Sequence, residues 1–157
     1  MKKITLLMAT LLMVSMMITG CKKDDPTPDP TPSTYTVVYK IDNHYENLIM
    51  SPCFKMNVSY TDANGQLVTE NNATLPWSKS VDVKTPFHAK LMGTLVYNEE
   101  ELPDHVVFGF YRGIGLYVNG AGSVPMEGGM SGSSKENFLI TAAEHPERLQ
   151  FTTEQDF

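Results

Sequence analysis

The chain has 157 residues, of which 41% are hydrophobic, and a formal net charge of −6 at pH 7. This length suits one ordinary domain once targeting segments are removed. The acidic balance excludes the basic surface that nucleic-acid binding requires, because phosphate backbones repel a negatively charged protein.

The first twenty residues have the pattern of a secretory signal peptide. Lys2 and Lys3 form a positive start, and an uncharged, mostly apolar run of 15 residues extends from Ile4 to Ile18. A membrane span needs about 20 such residues, so the run favours a cleaved signal over an uncleaved anchor, which is the alternative. Loss of the two lysines with residues 1–20 changes the net charge from −6 to −8.

The end of the apolar run carries a specific motif. Ile18-Thr19-Gly20-Cys21 resembles the lipobox of bacterial lipoproteins, in which the cysteine is acylated after cleavage. The resemblance implies that Cys21 is the lipid-attachment residue and that the mature chain begins there. Each buried CH₂ contributes about 0.8 kcal/mol, so two or three acyl chains would hold the protein on a membrane permanently.

The residues after Cys21 indicate where the protein is displayed. Lys22-Lys23-Asp24-Asp25 is similar to the surface-export signal of Bacteroidota lipoproteins, which implies the outer face of the outer membrane. The alternative is a periplasm-facing protein with a merely polar linker start. Residues 21–34 then carry proline at every second position from Pro26 to Pro32. This composition predicts an extended stalk of about 40 Å, at ~3.1 Å per residue.

From Tyr35 onward, apolar and polar residues alternate as they do in half-buried strands. Two turns are predicted, at Asp62-Ala63-Asn64-Gly65 and at Val118-Asn119-Gly120, because Asn and Gly tolerate a positive φ. The glycines within 106–118 predict a bulge or a division into two strands. Strands are predicted at 35–42, 53–61, 66–70, 77–83, 89–97 and 106–118.

These elements predict an all-β fold, an immunoglobulin-like antiparallel β-sandwich of about seven strands over residues 35–122. Residues 123–157 are predicted to form a small C-terminal extension outside the sandwich. The extension should contain a mobile glycine- and serine-rich stretch at 120–134, a strand at 137–141, a helical turn at 142–148 and a strand at 149–153.

Three segments of this region resemble the soluble domain of MmpS-type membrane proteins. They are Val58-Ser59-Tyr60-Thr61-Asp62-Ala63-Asn64-Gly65, Thr74-Leu75-Pro76-Trp77-Ser78-Lys79 and Leu116-Tyr117-Val118-Asn119-Gly120. The resemblance spans roughly residues 36–122 and implies a small immunoglobulin-like sandwich. It also implies a role as an accessory subunit of an envelope transport complex.

One dense group of titratable residues lies between two predicted strands. Glu99, Glu100, Glu101, Asp104 and His105 bear the ligand types of calcium or transition-metal sites. The run lacks the alternating Gly or Asn that lets a loop wrap an ion, so it predicts an exposed, charged loop instead.

Other candidate sites are weaker. The four histidines, at 44, 88, 105 and 145, are not spaced for a helical metal site. Gly129-Met130-Ser131-Gly132-Ser133 departs from the nucleophile-elbow motif at its fifth position. Cys53 is predicted to be a half-buried small hydrophobe, with a reactive thiol as the alternative. If Cys21 carries lipid, no internal disulfide can form.

Three aromatic residues are candidates for ligand contact. Trp77 follows Leu75-Pro76 at the start of a strand, which predicts a core role, and sugar stacking is the alternative. Tyr111 and Tyr117 are candidates for an exposed aromatic surface. No constellation for nucleophilic, acid–base or metal chemistry is present, so the sequence predicts no enzyme activity, cofactor or metal. It predicts a module that binds a protein or glycan, with the transport-accessory role as the alternative.

Overall fold

A computed structural model describes residues 33–157, which form one compact unit from Ser33 to Phe157. The strands are β1 (Tyr35–Asp42), β2 (His44–Tyr45), β3 (Leu48–Ile49), β4 (Lys55–Thr61), β5 (Leu67–Ala73), β6 (Trp77–Val83), β7 (His88–Val96), β8 (His105–Val118), β9 (Ala121–Gly122), β10 (Glu127–Ser134) and β11 (Gln150–Asp156). The helical elements are α1 (Lys135–Glu144) and two 3-10 turns, Glu99–Glu101 and Pro146–Leu149.

The strands form two antiparallel sheets that pack face to face. The first sheet has the order β10-β8-β1-β6, with β9 also paired to β8. The second sheet has the order β11-β7-β4-β5, and β2 and β3 form a separate two-stranded ribbon. The predicted all-β sandwich is therefore confirmed.

The two-residue period of the sequence places the core between the sheets. Val37, Tyr39 and Ile41 of β1 are at most 1% exposed and pack in one cluster with Met56 and Val58 of β4, which are fully buried. Removal of this apolar surface from water is the main force that holds the sheets together. The hydroxyl of Tyr39 donates to the carbonyl of Thr61 at 2.8 Å, and burial raises its pKa to about 12.

The strand β8 is continuous, so of the two predicted alternatives, a bulge or a division into two strands, the division is wrong. Residues 105–112 pair with β10 and residues 111–118 pair with β1, so the two ladders overlap at Tyr111 and Arg112. Gly109 has a φ of 121°, and a Cβ at this position would collide with the carbonyl oxygen of Gly129. The glycine is needed because the backbones of β8 and β10 approach closely there.

The predicted boundary at residue 122 is not found in the fold. β10 and β11 are edge strands of the two sheets, and Phe138 of α1 is fully buried. The strand predicted at 137–141 is wrong, because these residues lie within α1, whose first turn is capped by the Ser134 Oγ that accepts from the Asn137 amide. The glycine-rich stretch predicted to be mobile includes β10, whereas the strand predicted at 149–153 matches β11.

The two ends of the sandwich are built differently. One end, here called the helix end, is covered by α1, whose Phe138 ring lies 5.4, 5.0 and 4.9 Å from the rings of Phe54, Tyr97 and Phe108. The other end, here called the open end, consists of the start of β1, the turn 62–65, the loop 84–87 and the start of β7. No described helix covers the open end.

Candidate binding groove

A groove of about 1120 Å³ lies at the open end. It is bounded by residues 33–35, by the turn between β4 and β5, and by the end of β6 with the loop that follows it. The start of β7 closes the remaining side. A concave site of this size can enclose much of a small ligand or a short stretch of a longer one.

The turn wall of the groove is held by a local hydrogen-bond network. One carboxylate oxygen of Asp62 accepts from the amides of Asn64 and Gln66, both at 2.9 Å. Gly65 has a φ of 77°, which such a turn requires. The Gln66 and Asn64 amides lower the pKa of Asp62, so the carboxylate stays charged and the wall stays formed at neutral pH.

The floor of the groove is largely apolar. Phe87 is buried, and its backbone exchanges two hydrogen bonds with Phe157, at 2.8 and 2.9 Å. Tyr35 and Met92 are half-buried beside it. Leu67 is 52% exposed, so a ligand that covers it gains the free energy of burying an apolar side chain.

Side-chain contacts link the β7 wall to β11. The Lys90 ammonium lies 2.6 Å from Glu154 Oε1, and His88 Nδ1 lies 2.6 Å from Asp156 Oδ1. His88 Nε2 lies 3.9 Å from Glu154 Oε2. The ammonium of Lys90 lowers the pKa of Glu154, which therefore remains an anion at neutral pH.

One cation of the groove is left available to a ligand. Lys84 is exposed at the rim and makes no ion pair or side-chain hydrogen bond with the residues that the structure describes. Asp82, nearby, accepts a hydrogen bond from the Thr36 hydroxyl at 2.8 Å. The groove thus offers an apolar floor, a free ammonium and firmly held walls, which together suit recognition of a ligand with both apolar and anionic or polar groups.

One histidine, His88, and one buried hydroxyl, that of Thr61, line the groove. His88 Nδ1 lies 2.6 Å from Asp156 Oδ1, whereas Nε2 lies 3.9 Å from Glu154 Oε2, beyond hydrogen-bond distance. The hydroxyl of Thr61 is buried and accepts from the Lys90 amide at 3.0 Å. Within the described residues, no hydroxyl or thiol is hydrogen-bonded to His88.

The acidic cluster of the sequence does not line the groove and lies in an exposed loop. Glu99–Glu101 form a 3-10 turn in which the Asn98 side chain accepts from the Glu100 amide at 3.2 Å. Asp104 and His105 are also exposed. Among residues 33–157, no group of three or more His, Cys, Asp or Glu side chains is placed to hold a metal ion.

Only one of the four histidines lines the groove. His44 contacts the carbonyl of Glu46 at 2.8 Å, and His145 contacts Glu147 at 3.1 Å, both on the surface. His88 was not singled out by the sequence pattern. Its partner Asp156 is 68 positions away, and no local signal connects residues so distant.

The predicted core role of Trp77 is confirmed. The side chain is 9% exposed, and its ring lies 5.7 Å from that of Tyr60. The indole Nε1 donates to Glu70 Oε2 at 2.9 Å, and the Lys79 ammonium lies 3.1 Å from Glu70 Oε1. The Trp77 bond, followed by that of Lys79, lowers the pKa of Glu70. Trp77 therefore closes the side of the sandwich between β5 and β6.

The remaining candidates also lie outside the groove. Tyr111 and Tyr117 are half-buried on one face of β8, and Tyr111 borders a smaller pocket of about 340 Å³ with Met126. Cys53 is a half-buried free thiol, as predicted, and burial raises its pKa, which favours the protonated thiol. Residues 129–133 lie in β10 and not at a strand-to-helix turn.

Cys21, the signal peptide, the export signal and the linker up to residue 32 lie outside the described residues. Within residues 33–157, no helix combines the length and the hydropathy that a membrane crossing requires. No family model matches the chain, and no curated protein matches it.

Proposed function

We propose that the chain is a lipid-anchored outer-membrane lipoprotein, displayed on the cell surface, whose sandwich binds a protein or glycan without transforming it. The anchor is supported by the position of Cys21, directly after two small residues at the end of an apolar run. Surface display is supported by Lys22-Lys23-Asp24-Asp25. The periplasm-facing orientation is the alternative.

The groove at the open end is the observation that carries the binding role. Its apolar floor includes the exposed Leu67, and Lys84 at its rim has no charged partner among the described residues. His88 Nδ1 contacts the Asp156 carboxylate at 2.6 Å, and among the described residues no hydroxyl or thiol is hydrogen-bonded to its ring. Such a site recognises a ligand by shape, apolar contact and one charge, and it releases the ligand unchanged.

The anchor is tested by metabolic labelling with palmitate. Wild-type protein should incorporate the label, and Cys21→Ala should not, because the acylated thiol is absent. Cys53→Ala is the matched control, since it removes the other cysteine and should label as the wild type does. Equal labelling of the wild type and Cys21→Ala would overturn the anchor.

Surface display is tested with protease added to intact cells. The wild-type domain should be degraded, and replacement of Asp24 and Asp25 by alanine should protect it. A periplasmic protein followed in the same cells serves as the control for membrane integrity. Protection of the wild type would place the domain on the periplasmic side.

The binding role is tested with purified protein on arrays of glycans and peptides. Leu67→Asp and Lys84→Glu should each weaken retention of the array ligands at least about tenfold, because each removes a principal contact. Ile140→Asp and Lys40→Glu make the same changes at exposed positions outside the groove and should leave binding intact. If all four variants behave alike, the groove is not the site.

The absence of catalysis is tested on the same panel. Replacement of Glu100, Asp104 and His105 by alanine should leave the fold and the binding unchanged, because these side chains are exposed and remote from the groove. Hydrolysis of an array member by the wild type, abolished by this triple change without unfolding, would overturn the proposal.

The alternative function is an accessory subunit of an envelope transport complex, supported by the resemblance to MmpS-type domains. The three segments of that resemblance fall in the β4–β5 hairpin, at the start of β6 and in the β8–β9 turn. Cross-linking in intact cells distinguishes the two functions. Recovery of a resistance–nodulation-type transporter in the cross-linked product would favour the accessory role.

A further inference from the structure

The two sheets have four edge strands, and three of these strands carry features that prevent pairing with a further strand. β5 is interrupted by a register shift opposite Met56 and Val58, and its Asn72 has a φ of 54°. β6 carries Lys79 and Asp82, and β11 carries Glu154 and Asp156. Bulges and charges of this kind are the usual protection of sheet edges.

The fourth edge strand, β10, has a positive φ at Gly128, of 140°, but neither a register shift nor a charged residue after Glu127. Residues 128–134 contain neither a charge nor a proline, and the strand pairs with β8 in unbroken register along its eight residues. Its residues are exposed or half-exposed, and residues 128–133 make no backbone–backbone hydrogen bond with a described residue outside β8, whereas Ser134 caps α1. The outer edge therefore presents a row of free backbone donors and acceptors, which is the template for strand addition.

Charges stand only at the two ends of this edge. Glu127 is the first residue of β10, and Lys135 directly follows its last residue. Residues that lie opposite each other in an antiparallel pair point to the same face of the sheet. When two copies of one strand pair about a twofold axis, the axis must therefore pass beside a single residue, which lies opposite the same residue of the second copy. A pair centred on Ser131 places Glu127 opposite Lys135 of the second copy at both ends.

We propose that β10 pairs antiparallel with β10 of a second copy of this chain, centred on Ser131. The register opposes Met130 to Gly132 of the second copy, where the absence of a side chain leaves room for the methionine. It joins the first sheets of the two copies into one continuous sheet. The Glu127 carboxylate is 64% exposed and lies 3.3 Å from Arg112 in its own chain, so it can reach the second copy.

The size of the contact sets the strength of the dimer. One strand edge buries less surface than the roughly 1,200 Å² at which interfaces become stable, so the dimer is reversible and depends on concentration. The terminal ion pairs are exposed and are screened by salt. The dimer should therefore weaken as ionic strength rises.

The test is sedimentation equilibrium of the chain from residue 22, which contains the whole compact unit, over a range of concentrations at low salt. Wild type should show a monomer–dimer equilibrium. Lys135→Glu should raise the dissociation constant at least about tenfold, because it places two glutamates together at both ends of the contact. Lys40→Glu changes the net charge equally on an exposed position of β1 and should leave the equilibrium unchanged.

A mixture of two variants tests the register itself. Glu127→Lys alone should likewise raise the dissociation constant, whereas Glu127→Lys mixed with Lys135→Glu restores opposite charges at both ends and should form a 1:1 heterodimer. Monomeric wild type at every concentration, or a dimer insensitive to Lys135→Glu, would overturn the proposal. If Glu127→Lys does not fold, the comparison of Lys135→Glu with Lys40→Glu still decides it.

Discussion

The helix end and the open end of the sandwich differ in how the end of the hydrophobic core is covered. At the helix end, α1 inserts Phe138 into a group of aromatic rings from both sheets and excludes water from the core. At the open end, Phe87 and the ion pairs of His88 and Lys90 border a groove that remains accessible to solvent.

The difference shows how one fold separates stability from recognition. A buried aromatic side chain stabilises the folded state through packing, and its truncation lowers the free energy of unfolding. Exposed ion pairs contribute little to stability but hold side chains in place. The helix end should therefore be sensitive to substitution, and the open end should tolerate it unless a ligand is present.

The largest effect is expected at the helix end. Phe138→Ala removes a fully buried ring that contacts Phe54, Tyr97 and Phe108, and should lower the free energy of unfolding by about 3–5 kcal/mol. Urea denaturation measures this change. Ile140→Ala, on an exposed position of the same helix, is the control and should change stability by about 0.5 kcal/mol or less. Equal changes in the free energy of unfolding for Phe138→Ala and Ile140→Ala would contradict the stabilising role assigned to the helix end.

Trp77, on the side of the sandwich between the two ends, should be nearly as important. Trp77→Ala removes the ring that packs on Tyr60 and the hydrogen bond to Glu70, and should cost about 3 kcal/mol. Because this is the single tryptophan, its emission maximum reports its burial directly. A fully solvent-exposed emission maximum in the native protein would contradict the core assignment.

A smaller, pH-dependent effect is expected from Glu70. Its pKa is lowered in the folded state by the Trp77 and Lys79 bonds, so its stabilisation is present above the unfolded pKa of about 4.3 and is lost as the pH falls through the folded value. Since solvent screens this partly exposed pair, the loss should not exceed about 1 kcal/mol. Glu70→Gln should remove this acid dependence in unfolding experiments between pH 6 and pH 3. An unchanged pH profile would show that the bonds do not form in solution.

The smallest effect is expected at the open end. Lys84→Glu, at the rim of the groove, should alter the free energy of unfolding by about 0.5 kcal/mol or less, because the lysine has no partner among the described residues. Thermal unfolding of the free protein measures this. A loss comparable to that of Phe138→Ala would mean that the groove is part of the core and not a separate recognition site.

The elements that the sequence predicts correctly are those with a local cause. The alternation in 35–42 gives β1, the turn at 62–65 forms around Asp62, and Trp77 is buried after Leu75-Pro76. The wrong predictions arise where the local pattern differs from the one typical of the element that forms. Glycine and serine in β10 show no apolar alternation, and the consecutive apolar residues at 138–140 read as a strand although they lie in α1.

The sequence by itself determines the period of the strands, the turns and the residues that carry the resemblance to a lipobox, because these depend on neighbours along the chain. Only the tertiary structure decides that the last strand pairs with β7 and brings Asp156 to His88, 68 positions away. It also decides that α1 closes one end while the other remains open. Such pairings depend on which distant surfaces bury the most apolar area together, and no short window of sequence contains that information.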